Sequence, residues 1–369
     1  MSKAPLTVSN EDCVASPALI LHWESVEENL RRMIALAGDP ARLRPHVKTH
    51  KLPQIVARQV ALGITKCKCA TIAEAEMSAA AGAQDVLLAA PLVGPNIGRF
   101  LALQAAFRQV VFSALADDRG AVQEVSDAAM AAGQQVNLLL DLDVGQGRTG
   151  VRPGEAAASF YQSMAALPGI RPGGLHAYDG HLHQTDVVAR TAACDEGFAR
   201  VAALREQLTN AGLPVPAVVV GGTPTFPMHA RRAGVECSPG TCVLWDAGYA
   251  AHLPDLEFLP AAILLTRVIS RPAPDRLCLD LGHKAVASEM PHPRVIFPAL
   301  PEAKAVMHNE EHLVLETPRA AEFPVGSVLY GIPWHICPTV ALHSHVQVAQ
   351  GGSVVDTWPV VARARRITC

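Results

Sequence analysis

The chain has 369 residues, 50% of them hydrophobic and 5% aromatic, with a formal net charge of −3 at pH 7. That length supplies core enough for one large α/β domain and a smaller one without disulfide staples. The near-neutral balance, with no basic run and no aromatic-studded basic patch, excludes nucleic acid and an anionic membrane surface as implied partners and leaves a small molecule.

The N-terminal stretch "MSKAPLTVSNEDCVASPALIL" has no signal-peptide core, and apolar runs such as "PAAILL" are too short to span a bilayer, so a cytoplasmic location is expected. Nine cysteines, odd in number and scattered, fit reduced thiols. In "CKC", Cys67 and Cys69 share one face of a strand with no second pair nearby, which reads as core packing rather than a metal knuckle.

From "LRPHVK" at residues 43–48 onward, short aliphatic runs alternate with alanine-rich helical segments. "KCKCAT", "DVLLAA", "QVVFSA", "QVNLLLDLD", "PGGLHAYDG", "AVVVGGT" and "GVECSPG" complete a set of eight candidate strands. Strands alternating with helices pair in parallel, and eight such units close a (β/α)8 TIM barrel, expected over residues 24–248. Beyond about residue 250 the pattern changes to strands joined by short Pro- or Gly-bearing turns, from "AAILLTRVIS" to "HVQVAQGGSVVDTWPVV". A mainly antiparallel β domain of residues 1–23 and 249–369 is expected there.

Such a barrel gathers its reactive groups at the C-terminal ends of its strands. Lys48, in "RPHVKTHK", ends the first candidate strand; a lysine there, close to a second one, can lose its proton near neutral pH and act as a nucleophile. Taken alone, the stretch is also that of a solvated strand end. After the seventh strand "GGTPT" brings Gly222 and Thr223, and after the eighth "ECSPGT" brings Ser238, Gly240 and Thr241. Small residues in those loops expose backbone N–H groups and hydroxyls to a phosphate. A phosphate cradle facing a lysine suggests pyridoxal 5'-phosphate, held on Lys48 as a Schiff base. Arg148 in "GQGRTG" can then hydrogen-bond the phenolic oxygen, and His176 or Tyr178 in "LHAYDGH" can pack on the ring. The plainer readings are a salt bridge for Arg148 and a satisfied core position for His176. Further on, "PWHICPTVALHSH" sets His335 and Cys337 two apart, so on an extended segment both side chains reach one cation, although an isolated His-x-Cys is also an ordinary structural pair.

Together "RPHVKTHK", "CATIAEAE", "LHAYDGH", "GGTPTFP", "SPGT", "LDLGHKAVASE", "EEH" and "PWHICPT" resemble the D-threonine aldolase and D-serine dehydratase family of fold type III pyridoxal phosphate enzymes, relatives of alanine racemase. The resemblance runs from about residue 14 to the C-terminus. It implies that Lys48 binds the cofactor, Arg148 faces its phenolic oxygen, and the loops at Thr223 and at Gly240 and Thr241 hold its phosphate. Where alanine racemases carry an arginine against the pyridine nitrogen this chain has Ser238, a neutral partner that argues against racemase chemistry.

The resemblance further makes His335 and Cys337 the ligands of a divalent metal, with the cysteine favouring Zn²⁺ over Mn²⁺ or Mg²⁺ and matching the dehydratase branch. His343 and His345 are further candidates on the solvent side. The implied activity is retro-aldol cleavage of D-β-hydroxy-α-amino acids, with His181 or Tyr178 as base for the hydroxyl proton. A D-serine or 3-hydroxy-D-aspartate dehydratase is the alternative, and a non-catalytic pyridoxal phosphate carrier a more distant one. A homodimer is expected by the same resemblance.

Overall fold

The computed structural model describes residues 6–369, so the assignment of residues 1–5 to the β domain lies outside the described residues. The chain divides into two compact units, one of Ile34–Lys48, Leu52–Gly240 and Ala364–Cys369, the other of the residues through Met33 with Thr49–Lys51 and Thr241–Arg363. In chain order β1 (Ala18–His22) belongs to the second unit. Next come β2 (Lys66–Cys69), β3 (Asp85–Pro91), β4 (Val111–Ala116), β5 (Val136–Leu142), β6 (Ile170–Ala177), β7 (Ala217–Val220) and β8 (Glu236–Cys237) of the first.

Strands β2 to β8 form one parallel sheet in sequence order, with helices such as Ile72–Ala80, Arg119–Ala131 and Val187–Asn210 as the crossovers. The first of these helices is fixed by a capping box. Thr71 Oγ1 accepts from Glu74 N at 3.1 Å and Glu74 reaches back to Ala70 N at 2.6 Å. Leu87, Leu115, Leu139 and Val219 meet in one buried cluster drawn from four of the strands.

The eighth barrel position is filled differently from the expected strand at residues 43–48. Leu43 bridges Cys237 and His46 bridges Lys68, both parallel, so the segment closes the sheet by isolated bridges alone. The reason is Pro45, which has no N–H for a ladder. Its carbonyl accepts from Lys68 N, while Arg44 N and His46 N donate to Cys237 O and Pro239 O, each at 2.8 Å. Arg44 reinforces this weakly paired seam with a fork to Asp85 at 2.8 and 2.7 Å and a bond to Glu236 at 2.6 Å. Lys48 consequently lies in the 3₁₀ turn Val47–Thr49 and not at a strand end, and Lys51 adopts a left-handed φ of 55° outside any strand.

The second unit continues with β9 (Ala262–Ala273), β10 (Arg276–Leu279), β11 (Val295–Ile296), β12 (Lys304–His308), β13 (Leu313–Glu316), β14 (Val328–Pro333), β15 (His345–Gln350) and β16 (Ser353–Pro359). Its sheet runs β12-β13-β10-β9-β1-β15-β16, with β14 pairing β9 and β11, and among the described pairs of this sheet only β1–β15 is parallel. Ile20, Ile263, Leu265 and Tyr330 form its core together with Val8 and Val14. All nine cysteines are free, and Cys67 and Cys69 are buried with their sulfurs 4.0 Å apart, packed as the strand pattern predicts. Among the described residues no helix is long and apolar enough to cross a membrane.

Candidate active site

A cavity of about 230 Å³ opens at the C-terminal ends of β2 to β6, and its wall carries Lys48, Lys68, Asp141, Arg148, His176 and Tyr178. Four of these six are read from the sequence, and the fold brings them together. Asp141 and Lys68 are not. His176 stands directly opposite Asp141 in the register of β5 and β6, and its Nδ1 lies 2.7 Å from Asp141 Oδ1. Burial, opposed by Asp141 and assisted by the charges of Lys68 and Arg148, holds His176 below its ordinary range. A neutral ring that donates Nδ1–H to Asp141 leaves Nε2 a bare acceptor, and that buried atom has no hydrogen-bond partner among the described residues. Burial works against the Asp141 carboxylate as well, yet the bond from His176 keeps its pKa below the usual value.

Arg148 is presented by the glycine-rich loop after β5. Asp143 Oδ1 accepts from Gly145 N at 3.0 Å and Gly147 N at 2.9 Å, which curls the loop, and Gly147 takes a φ of 64°. The Arg148 guanidinium then stands 5.1 Å from the centroid of the Tyr178 ring, and Lys68 Nζ stands 5.4 Å from the same centroid. Lys68 escapes notice in the sequence because "KCKC" draws attention to its cysteines. Strand alternation is the missed signal: with Cys67 and Cys69 on one face, Lys68 faces the other.

His181 is half-buried, its Nδ1 also lacks a partner, and it packs so closely on Gly145 that a Cβ there would stand 2.8 Å from its Nε2. It lies outside the residues that line the cavity, whereas Tyr178 is among them. The loops after β7 and β8 meet where Gly240 N donates to Thr223 Oγ1 at 3.1 Å. Gly222 abuts Tyr178, since a Cβ would come within 2.9 Å of its ring. Ser238 Oγ donates to Arg44 O at 2.8 Å, which commits its proton and leaves its oxygen an acceptor. Thr241 belongs to the second unit, where its Oγ1 is 3.6 Å from Cys337 Sγ.

Among the described residues, Asp179, Cys194 and His229 form a buried group with ligand atoms within 4.8 Å of one another. Its hydrogen bonds are already allocated. His229 Nε2 is 2.8 Å from Asp179, and Arg232 approaches His229 Nδ1 at 2.6 Å and Cys194 Sγ at 3.4 Å. A guanidinium among the three groups opposes a dication there and makes the cluster a structural network.

His335 and Cys337 are not on an extended segment as expected: His335 is the N-cap of helix Ile336–Leu342 and Cys337 lies in its first turn. Their side chains nonetheless interact. Although burial opposes it, the bonds from Cys337 and Glu289 push His335 up to about 9. Glu289 holds His335 Nδ1 at 2.5 Å, the arrangement in which a carboxylate orients a metal-binding imidazole from behind. Thr49 Oγ1 is 3.2 Å from Cys337 Sγ. A proton shared between an imidazole and a thiol occupies the place a cation would take, so the donor set fits a soft divalent ion. His343, expected toward solvent, instead bonds Ala285 O at 2.8 Å, while His345 is exposed.

A family model for the alanine racemase N-terminal domain matches residues 21–246, and one for a serine dehydratase domain matches residues 261–349. A D-threonine aldolase from Arthrobacter sp is 34% identical over 95% of this chain and 93% of its own length. The crystal structure of D-threonine aldolase from Filomicrobium marinum aligns with a TM-score of 0.88 at 29% identity, covering 98% of this chain and 99% of that one. D-threo-3-hydroxyaspartate dehydratase from Delftia sp. HT23 aligns with a TM-score of 0.82 at 26% identity, covering 94% of this chain and 97% of that one. Structures of such a dehydratase exist with a histidine, or the cysteine two positions after it, changed to alanine, the cysteine variant in a metal-free form.

Proposed function

This chain belongs to the D-threonine aldolase and D-serine dehydratase family of fold type III, alanine racemase-like pyridoxal phosphate enzymes, and from that premise we propose that it is a lyase cleaving D-β-hydroxy-α-amino acids to glycine and an aldehyde. The observation that carries the reading is the cavity that gathers Lys48, Arg148, His176 and Tyr178 on one wall. Its residues suit the cofactor, with an unpartnered His176 Nε2 and basic groups in excess of acids, and beside it Gly222 packs on Tyr178 too tightly for any side chain.

In this reading Lys48 supplies the amine that holds the cofactor, Arg148 bonds its phenolic oxygen, and Gly222, Thr223, Gly240 and Thr241 cradle its phosphate. Ser238 would face the pyridine nitrogen through its oxygen, since its hydroxyl donates to Arg44 O. Once bound, pyridoxal phosphate supplies an electron sink for the bond broken at the substrate Cα, and a divalent cation supplies Lewis acidity at the β-hydroxyl. His335 and Cys337 hold that cation, with Glu289 fixing the imidazole. His176 is pinned by Asp141 at the cavity wall and would pack on the cofactor ring, and His181 or Tyr178 takes the hydroxyl proton.

The cysteine ligand favours a second reading, dehydration to an oxo acid and ammonia, in which Lys48 removes the Cα proton and the hydroxyl departs. A non-catalytic carrier has no use for the His335 and Cys337 pair. Product analysis with D-threonine, in pyridoxal phosphate and Mn²⁺ or Zn²⁺, decides. Acetaldehyde with glycine is expected, 2-oxobutanoate with ammonia selects the dehydratase, and neither product from fully loaded protein overturns both. The reading includes a homodimer, checked by light scattering.

A further inference from the structure

The cavity wall is unbalanced in charge. Lys48, Lys68 and Arg148 are basic, and the acid among the lining residues is Asp141, which already accepts from His176 at 2.7 Å and from Thr149 Oγ1 at 2.8 Å. Lys68 is the extreme case. It is 1% exposed and its Nζ meets the face of Tyr178, yet among the described residues no carboxylate lies at ion-pair distance from it. Burial, with the charge of Lys48 adding to it, pushes the ammonium down to about 7. A buried, unpaired cation is costly, and a methionine would fill the same volume without that cost. The position therefore suits an anion that the chain itself does not supply.

We propose that Lys68 is a cofactor-binding residue that, together with Arg148 beside the same Tyr178 ring, receives the phenolic oxygen of the cofactor held on Lys48. This rests on the assignment of pyridoxal phosphate to Lys48 and deepens it. The phosphate is not the better candidate, because the backbone N–H groups and hydroxyls that suit it belong to the loops around Thr223 and Gly240, neither of which lines this wall. A cation at the phenolic oxygen favours its ionised form and so lowers the pH at which the proton shared between that oxygen and the Lys48 nitrogen is lost.

The test is optical. Wild type, Lys68→Met and Lys68→Arg are loaded with pyridoxal phosphate, and the visible absorption band is titrated with pH. Lys68→Met is expected to raise the midpoint by about one pH unit or more, roughly a tenfold change in proton affinity, while Lys68→Arg stays near wild type. A Lys68→Met protein that loads fully and titrates with the wild-type midpoint overturns the proposal. If that variant keeps its midpoint but loses affinity for a D-amino acid substrate analogue, Lys68 serves the substrate carboxylate and the proposal is likewise overturned. The two failures are distinguishable, since a wild type that develops no visible band removes the cofactor assignment itself. Thermal unfolding of the empty proteins confirms that the variants are folded.

Discussion

Asp179 and His229 form a buried pair, carboxylate oxygen to Nε2 at 2.8 Å, that ties the residue after Tyr178 to the helix following β7. The other Asp179 oxygen accepts from Thr225 Oγ1 at 2.7 Å, and Gly222 N donates to that hydroxyl at 3.4 Å. One carboxylate thus sets both the ring beside the cavity and the proposed phosphate loop. Asp179→Ala should lower stability by about 2–3 kcal/mol through the unpaired groups it leaves, and should weaken cofactor affinity about tenfold. Thermal unfolding and absorbance titration measure the two effects; unaltered affinity in a folded variant would deny the loop role. Burial raises this carboxyl, but the bonds from His229 and Thr225 bring it below the ordinary value. With the folded pKa depressed, its contribution is full above the unfolded value of about 3.9 and is lost as pH falls below it, so the variant should show a flatter acid limb.

Lys48→Ala should abolish both the yellow absorbance of the loaded protein and its turnover. Lys51→Gln should retain both. The reason is not the strand alternation expected from the sequence: neither lysine is on a strand, and Lys48 in the turn Val47–Thr49 lines the cavity whereas Lys51 does not. Normal turnover in Lys48→Ala would remove the cofactor from this lysine.

Chelation should stop catalysis while the cofactor band persists, because the proposed cofactor contacts do not include His335 or Cys337. Loss of a Lewis acid costs on the order of a thousandfold in rate. Cys337→Asp should move ion preference from Zn²⁺ toward Mn²⁺ or Mg²⁺ if the thiolate is a ligand. An unchanged preference would take Cys337 out of the site.

Arg44→Met should destabilise the barrel by about 3 kcal/mol, since it strips two carboxylates, Asp85 and Glu236, of a buried guanidinium. The seam it crosses is the one Pro45 leaves with few ladder bonds. Urea unfolding reads the loss, and a midpoint equal to wild type would mean that the isolated bridges at Leu43 and His46 suffice.

The empty chain should grow more stable as pH rises from about 7. Lys68 titrates near that value when folded, against roughly 10.4 when unfolded, so between them the unfolded chain binds more protons. The stability is complete above the unfolded value and is lost as pH falls through the folded one. Lys68→Met should remove this slope, and an identical pH profile in the variant would place the Lys68 amine in water.

By itself the sequence determined the architecture and four residues of the candidate site. Short aliphatic runs alternating with alanine-rich helices require parallel strands with crossovers, and a parallel sheet of this kind collects the residues just past each strand at one end. Arg148, His176 and Tyr178 were therefore legible from their places near strand ends, and Lys48 from an expected strand end that the structure replaces with a 3₁₀ turn. Tertiary structure alone decided how their charges are balanced. That Asp141 faces His176 is a matter of register between strands 35 residues apart in the chain, and that Lys68 meets Tyr178 depends on the curl of the sheet. Pro45 shows the limit from the other side. Its missing N–H was visible, but whether the segment would be lost from the barrel or retained by flanking bonds and the Arg44 fork depended on partners nearly two hundred residues away at Glu236 and Cys237. His335 and Cys337 were legible as a pair and not as a geometry, because a helix N-terminus and an extended segment can both bring residues two apart together, and only the fold selects between them.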